Sequence, residues 1–413
     1  MTYQHNSQMR QMNDEQLEVR YGLPSEVKYC VKCVMSNQKP NTSIEHVNKD
    51  VSRTYIDFDD EGVCAACRYN EIKNSIDWDK REQKLRNLLD KYRKNDGSYD
   101  VIVPVSGGKD SIYAAYTLKH KYGMHPLTVT WAPHIYRMVG WDNLQRMIHK
   151  GQLDNILYTP NGRVHRYLTR LAFINQLHPF QPFVFGQKNV GPRMSVAFNV
   201  PLVMYGESNV EYGDPGDSDD EVMSTERYAS EMNSDEIFLG GVSVSELIIN
   251  HNIELNDLKP FLPINTESVV ETGTKVHYLG HYLTWDPQEC YYFAVDKVGF
   301  EAAEERSEGT YSKYTELDDK LPPINFYTMH VKFGIGRAMY DASQEIRNNK
   351  ITRDEGMALV YKFDGEYPRL YFKETLDYLG MTKEEFDATC DSFRSPHLWE
   401  KENNRWMLRH PVE

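Results

Sequence analysis

A chain of 413 residues is too long for one ordinary hydrophobic core and predicts two or three domains. Its 40% hydrophobic, 12% aromatic and 26% charged content is that of a globular protein, and no run of 18 apolar residues marks a membrane span. The net charge of −14 argues against general nucleic-acid binding, which needs a basic surface, and the polar first twenty residues lack a secretory signal's apolar centre; a cytoplasmic protein is expected, with no membrane or nucleic-acid partner.

Residues 1–97 are expected to form an N-terminal extension, a cysteine module and a linking helix. Residues 1–28 carry little core of their own. Cys30-Val-Lys-Cys33 and Cys64-Ala-Ala-Cys67 then bracket a stretch in which Ser52–Phe58 alternates as a strand does. In a reducing compartment, paired CxxC units read as a metal site before they read as disulfides. Cys30, Cys33, Cys64 and Cys67 supply four thiolates, enough for a closed tetrahedral zinc site with a structural role. Free buried thiols or a redox pair are the bland alternative, and two widely separated pairs suit an iron–sulfur cluster less well. Asn70–Lys94 has the helical period.

Residues 98–240 are expected to form a second domain. Val101-Ile-Val-Pro-Val105 is a short apolar run of the kind found in buried parallel strands. A glycine turn and a helix over Ser111–Tyr122 follow. Further strands are expected at Leu127–Trp131, Asn155–Tyr158 and Pro201–Tyr205, with helices at Asp142–His149, Val164–Asn175 and Val190–Phe198. This order predicts a parallel sheet covered on both faces. Glu211–Glu236 is acidic and poor in large aliphatics, as a surface excursion would be. Residues 241–413 are expected to be mainly helical, including Arg337–Arg347 and Thr382–Phe393, and to bind substrate.

The turn after the first strand is Ser106-Gly-Gly-Lys-Asp-Ser111. Two glycines let backbone N–H groups approach an anion, and the helix that follows points its positive end at the same place. Lys109 adds a full charge. The spacing is neither GxxxxGK[ST] nor GxGxxG. SGGKDS after an apolar strand resembles the signature of the N-type ATP pyrophosphatases of the PP-loop superfamily. That resemblance implies an α/β, HUP-like parallel sheet and an ATP site at Ser106, Gly107, Gly108, Lys109, Asp110 and Ser111, with Val105 and Trp131 at the ends of the first two strands near the adenine. Asp110 is the expected magnesium ligand, since magnesium prefers carboxylates plus phosphate oxygens. Glu207 and Glu211, in the turn after the fourth strand, should face the same crevice, where they would orient magnesium or ammonia; a solvated acidic turn is the bland alternative.

Over nearly its whole length the chain resembles the N-acetyl sugar amidotransferase family of bacterial surface-glycan pathways. The matching blocks include CVKCVMSNQKPN, DDEGVCAACR, PVSGGKDS, YTPNGRVHR, PFQPFVFGQKN, YGESNVEYG, WDPQECYYFAV, RSEGTYSKY and VKFGIGRAMYDASQEIRN. The resemblance implies conversion of an acetamido group on an activated nucleotide sugar into an acetamidino group, with ATP split to AMP and pyrophosphate. Ammonia would come from a separate glutaminase subunit or from solution. For the sugar nucleotide's diphosphate, Gln187, Lys188, Lys313, Lys332 and Arg337 are the candidates, each with a plain surface role as the alternative. Trp285, Tyr291 and Tyr292 read as core aromatics before they read as a stacking platform, and His165 and His330, with no spacing partner that marks a ligand, as structural or as supporting a site residue from behind. The rival is tRNA thiolation by a PP-loop enzyme, for which Cys290 in WDPQECYY is the position of interest.

Overall fold

The computed structural model describes residues 17–41, 54–207, 209–213, 222–231 and 233–413. Its centre is a five-stranded parallel sheet of β1 (Val101–Pro104), β2 (Pro126–Trp131), β3 (Asp154–Tyr158), β4 (Leu202–Tyr205) and β5 (Lys275–Tyr278), in the spatial order β3-β2-β1-β4-β5. The α/β sheet expected from the sequence is therefore present. Its strands are short and β-rich, and alternate residues face opposite layers. Val101 and Val103 pack with Leu85, Leu89, Ile112, Leu118 and Met147 on one side. Ile102, Val129, Val203 and Val276 pack with Val164, Leu168, Phe185 and Val190 on the other.

Around the sheet run α1 (Ala65–Lys73), α2 (Trp78–Tyr92), α3 (Lys109–Tyr116), α4 (Met138–Gly151), α5 (Gly162–Gln176) and α6 (Gln181–Phe198). Then come α7 (Pro287–Val298), α8 (Pro322–Phe333), α9 (Arg337–Arg347), α10 (Arg353–Phe363), α11 (Phe372–Leu379) and α12 (Lys383–Ser392). Helix α6 lies close on the sheet because it presents glycines there. A Cβ on Gly186 would stand 2.1 Å from the Trp131 ring, and one on Gly191 2.7 Å from Pro104.

Several expectations are corrected. The single helix over Asn70–Lys94 is two, because the Asp77 side chain accepts from Lys80 N and starts a new helix. The helix expected from Val190 begins nine residues earlier, with Pro182 in its first turn, where proline fits. Past α3 the chain runs as a π-helix over Thr117–Lys121. Of Ser52–Phe58, Ser52 and Arg53 lie outside the described residues, and Tyr55 and Phe58 make isolated bridges to Pro40 and Cys64 in place of a ladder. Part of the acidic Glu211–Glu236 segment, 214–221 and 232, lies outside the described residues. Its 222–231 portion is packed, with Met223 N donating to Val276 O at 2.8 Å and Tyr228 buried.

The sheet also continues beyond residue 240, the expected edge of its domain, since β5 comes from 275–278. The module of residues 23–67 does not stand apart either. Leu23, Cys30, Val34, Ile56, Val63 and Cys67 share one core with Phe333, Ile335, Met339, Val360, Leu398, Trp399 and Val412. Hydrogen bonds close the same seam: Arg20 N to Ser395 Oγ at 3.1 Å, Tyr29 Oη to His410 O at 2.6 Å, and Arg353 Nε to Cys33 O at 3.1 Å. The helical C-terminal region and the cysteine module are thus one packed unit. No helix among the described residues is long and apolar enough to cross a membrane.

Candidate active site

The strand order reverses between β1 and β4, and the turns after these two strands meet there, at the carboxyl edge where open α/β sheets bind ligands. After β1 the backbone at Gly107 takes φ +83°, which glycine adopts without strain; a Cβ there would stand 2.7 Å from the Leu144 backbone. Two serines hold the turn. Ser106 Oγ accepts from Gly108 N at 3.2 Å, and Ser111 Oγ donates to Gly108 O at 2.9 Å. Helix α3 then starts at Lys109 with its free N–H groups toward the crevice.

Lys109 Nζ lies 2.5 Å from Asp110 Oδ2, and Trp285 Nε1 donates to Asp110 Oδ1 at 2.9 Å. Each carboxylate oxygen keeps a second lone pair, so Asp110 fits a magnesium ligand while being held in place. Burial opposes the charge on Lys109 most strongly of any single cause, but Asp110, with Glu207 and Cys290 adding to it, keeps the ammonium above its usual pKa. After β4, Gly206 permits close approach: a Cβ there would lie 3.1 Å from Asp110 O. Glu207 accepts a hydrogen bond from Tyr212 Oη. Burial, then the neighbouring Asp110 charge, pushes the Glu207 carboxyl above its ordinary range, against the pull of Tyr212, Lys109 and Arg337.

A cavity of about 540 Å³ opens from this turn. Val105, Ser106, Gly108, Asp110 and Ser111 form its floor, and Trp131, Gln187, Lys188 and Glu207 line its sides. Segments 223–230 and 261–263 close it with Met223, Tyr228, Phe261 and Pro263. Trp131 stacks on Tyr158 with centroids 5.4 Å apart, and its Nε1 is buried with no hydrogen-bond partner among the described residues.

Not all the expected site residues gather here. Glu211 is buried in an ion pair with Lys73 at 2.7 Å, away from the cavity lining. Lys332 is buried too; its Nζ donates to Gln176 O at 2.5 Å and sits over the Tyr21 ring. Lys313 is exposed and donates to Glu304 O at 2.7 Å. Neither lysine lines the cavity. Arg337 also lies off the lining, paired with Glu316 at 2.7 Å and Asp341 at 2.9 Å, yet close enough to draw on the Glu207 carboxyl. Trp285 is neither a stacking platform nor plain core: it grips Asp110. Its role joins residues 175 positions apart, signalled only by the WDP block before α7, whereas Tyr212 reaches Glu207 from five positions along the same turn. His165 is buried and His330 half-buried; burial drives both pKa values down, His330 to about 3, which favours the neutral ring in each. Cys290 is buried on α7 beside Lys109 and Asp110; burial pushes its thiol up, away from the thiolate that sulfur transfer needs.

The four cysteines converge as expected, their Sγ atoms all within 4.8 Å of one another. Cys30 and Cys67 are 3.8 Å apart and Cys33 and Cys64 3.7 Å. A disulfide would need roughly 2 Å. Four ligands at zinc–thiolate distance around one tetrahedral ion stand roughly 3.8 Å apart, so the donor set fits a single ion of that size. A multi-iron cluster would hold the thiolates farther apart, because the metal atoms themselves fill the centre.

Residues 308–411 match the C-terminal domain of WbpG-like LPS biosynthesis proteins. A Methanocaldococcus jannaschii protein, uncharacterized protein MJ1599, is 29% identical over 83 residues, which are 20% of this chain and 30% of that protein's length. Among solved structures, the NH3-dependent NAD synthetase of Campylobacter jejuni is 16% identical, covering 54% of this chain and 94% of its own, with a TM-score of 0.27. The U34-tRNA thiolase NcsA of Methanococcus maripaludis, with its 4Fe–4S cluster, is 14% identical over 90% of this chain and 99% of its own, with a TM-score of 0.32. Overlaps this loose say nothing about chemistry.

Proposed function

We propose that this protein, whose residues 308–411 match the C-terminal domain of WbpG-like LPS biosynthesis proteins, is an ATP-dependent amidotransferase acting on an acetamido nucleotide sugar. The observation that carries the reading is the Ser106–Ser111 turn at the sheet's switch point, where Ser106, Gly108, Asp110 and Ser111 line a cavity of about 540 Å³ together with Glu207, and Lys109, off the lining, pairs with Asp110. Ligand cavities commonly fall in this size range.

An amide oxygen is a poor leaving group, which explains the demand for ATP. The carbonyl oxygen of the acetamido group attacks the α-phosphorus, the bond to pyrophosphate breaks, and an O-adenylyl imidate forms. Ammonia attacks the imidate carbon, the C–O bond to AMP breaks, and a proton leaves the nitrogen. The amidine remains. The N–H groups of the turn and Lys109 stabilise the departing pyrophosphate. Magnesium, held by Asp110 and phosphate oxygens, would add positive charge where the phosphates crowd. Glu207, whose carboxylate burial makes a stronger proton acceptor than a solvated one, takes the nitrogen's proton. Gln187 and Lys188 would meet the sugar nucleotide, and zinc at the four thiolates would be structural. Ammonia is supplied by a separate glutaminase subunit or from solution.

The test uses acetamido nucleotide sugars carrying heavy oxygen in the acetyl group, with ATP, magnesium and ammonium. The label is expected in AMP, one per pyrophosphate released. Unlabelled AMP would rule out the imidate. Lys109→Ala and Asp110→Asn should each cut pyrophosphate release by roughly 100-fold or more, with cysteine-bound metal retained.

A further inference from the structure

The cysteine module and the phosphate turn are joined by a short run of buried contacts. Helix α1 begins at the Cys64 cap, carries Cys67 in its first turn and ends at Lys73. Lys73 is 7% exposed in its side chain, and its Nζ both pairs with Glu211 at 2.7 Å and donates to Trp285 O at 2.8 Å. Trp285 in turn donates through Nε1 to Asp110 Oδ1. On the same side, the turn that follows Glu207 presses on α1: Gly213 has φ +68°, and a Cβ on it would stand 2.5 Å from Ala66 N, between the two cysteines. Arg347, at the end of α9, donates to Glu211 O at 3.3 Å, and its main-chain O accepts from Asn70 of α1 at 3.0 Å.

Resting on the reading above that Asp110 serves the ATP site, we propose that Lys73 is a positioning residue. Anchored by the four-cysteine module, it holds the Trp285 segment so that the indole fixes Asp110 for magnesium and phosphate. A charged ammonium donating to a main-chain carbonyl is a strong, directional tie, and Lys73 spends it on the residue that grips the phosphate turn. Glu211, expected in the chemistry, instead balances the charge of this tie. The module would therefore set the geometry of the ATP site from outside the cavity.

The test compares wild type with Lys73→Met/Glu211→Gln, which removes both charges of the buried pair together, with Lys73→Arg, and with Trp285→Phe. Metal at the cysteines is counted in each. Magnesium-dependent ATP binding is measured by calorimetry without sugar or ammonia, and hydrogen exchange is followed over 106–111. The double variant and Trp285→Phe are expected to keep their metal, to bind magnesium–ATP roughly 10-fold more weakly, as loss of a ligand's supporting partner commonly does, and to exchange faster in the turn. Combining them should add no further weakening, and Lys73→Arg should restore part of the loss. Unchanged turn exchange in the double variant, or full additivity with Trp285→Phe, would overturn the proposal. Failure of wild type to bind ATP would count against the ATP-site reading alone, and the exchange comparison would still decide the positioning role.

Discussion

At the scale of single residues, Glu207 carries the sharpest expectation. It sits half-buried beside Asp110 with Tyr212 donating to it, and its carboxyl is pushed above its usual range. Only the ionised form can accept a proton, so turnover should rise with pH through this raised pKa and fall as pH drops through it. Measured at fixed free-ammonia concentration, Glu207→Gln should lose that acid limb and most of its rate, roughly 100-fold. An unchanged limb would assign the proton transfer elsewhere. Glu207 and the phosphate turn were readable in the sequence because they follow apolar strands at the sheet's carboxyl edge. Lys332 lies off the cavity, and composition cannot distinguish a lysine aimed at a ligand from one spent on Gln176 O, 156 positions away. Trp285 and Asp110 are separated by 175 positions, and no local pattern records such a bond.

At the scale of elements, periodicity found four strands of the central sheet and missed the fifth. Lys275-Val-His-Tyr278 is four residues long with one end exposed, and it becomes a strand only by pairing with Leu202–Tyr205. Helix α6 was half hidden for a related reason: its buried face is built of glycines and aromatics fitted to the sheet, not of an aliphatic stripe. That fit gives a prediction. Gly186→Ala puts a methyl into the Trp131 ring, so either α6 lifts or the indole turns. A cost of about 1–3 kcal/mol in stability is expected, with KM for ATP raised more than kcat is lowered, because Trp131 lines the cavity wall and not the reacting end. Equal effects on both parameters, from steady-state kinetics beside thermal melts, would place Trp131 nearer the chemistry.

At the scale of the molecule, the expected succession of an N-terminal module, a sheet domain and a helical region gives way to two units that interleave along the chain. The sheet draws β5 from beyond residue 240, and the cysteine module shares its core with 333–412. Stripping metal from the cysteines should accordingly loosen both contributors to this shared core at once. Hydrogen exchange with and without a chelator is expected to quicken over 28–41, 353–363 and 399–412, while β1–β4 stay protected; quickening confined to 28–41 would mean that the shared core does not depend on the ion. The seam has a consequence during synthesis. The four thiols emerge from the ribosome well before the apolar surface of 333–412 that covers them, which follows tens of seconds later at about 5–20 residues per second. Until then, the nascent chain must carry a half-built core and reactive sulfurs in the open, so prompt capture of the metal would guard the thiols against oxidation before the fold can shelter them.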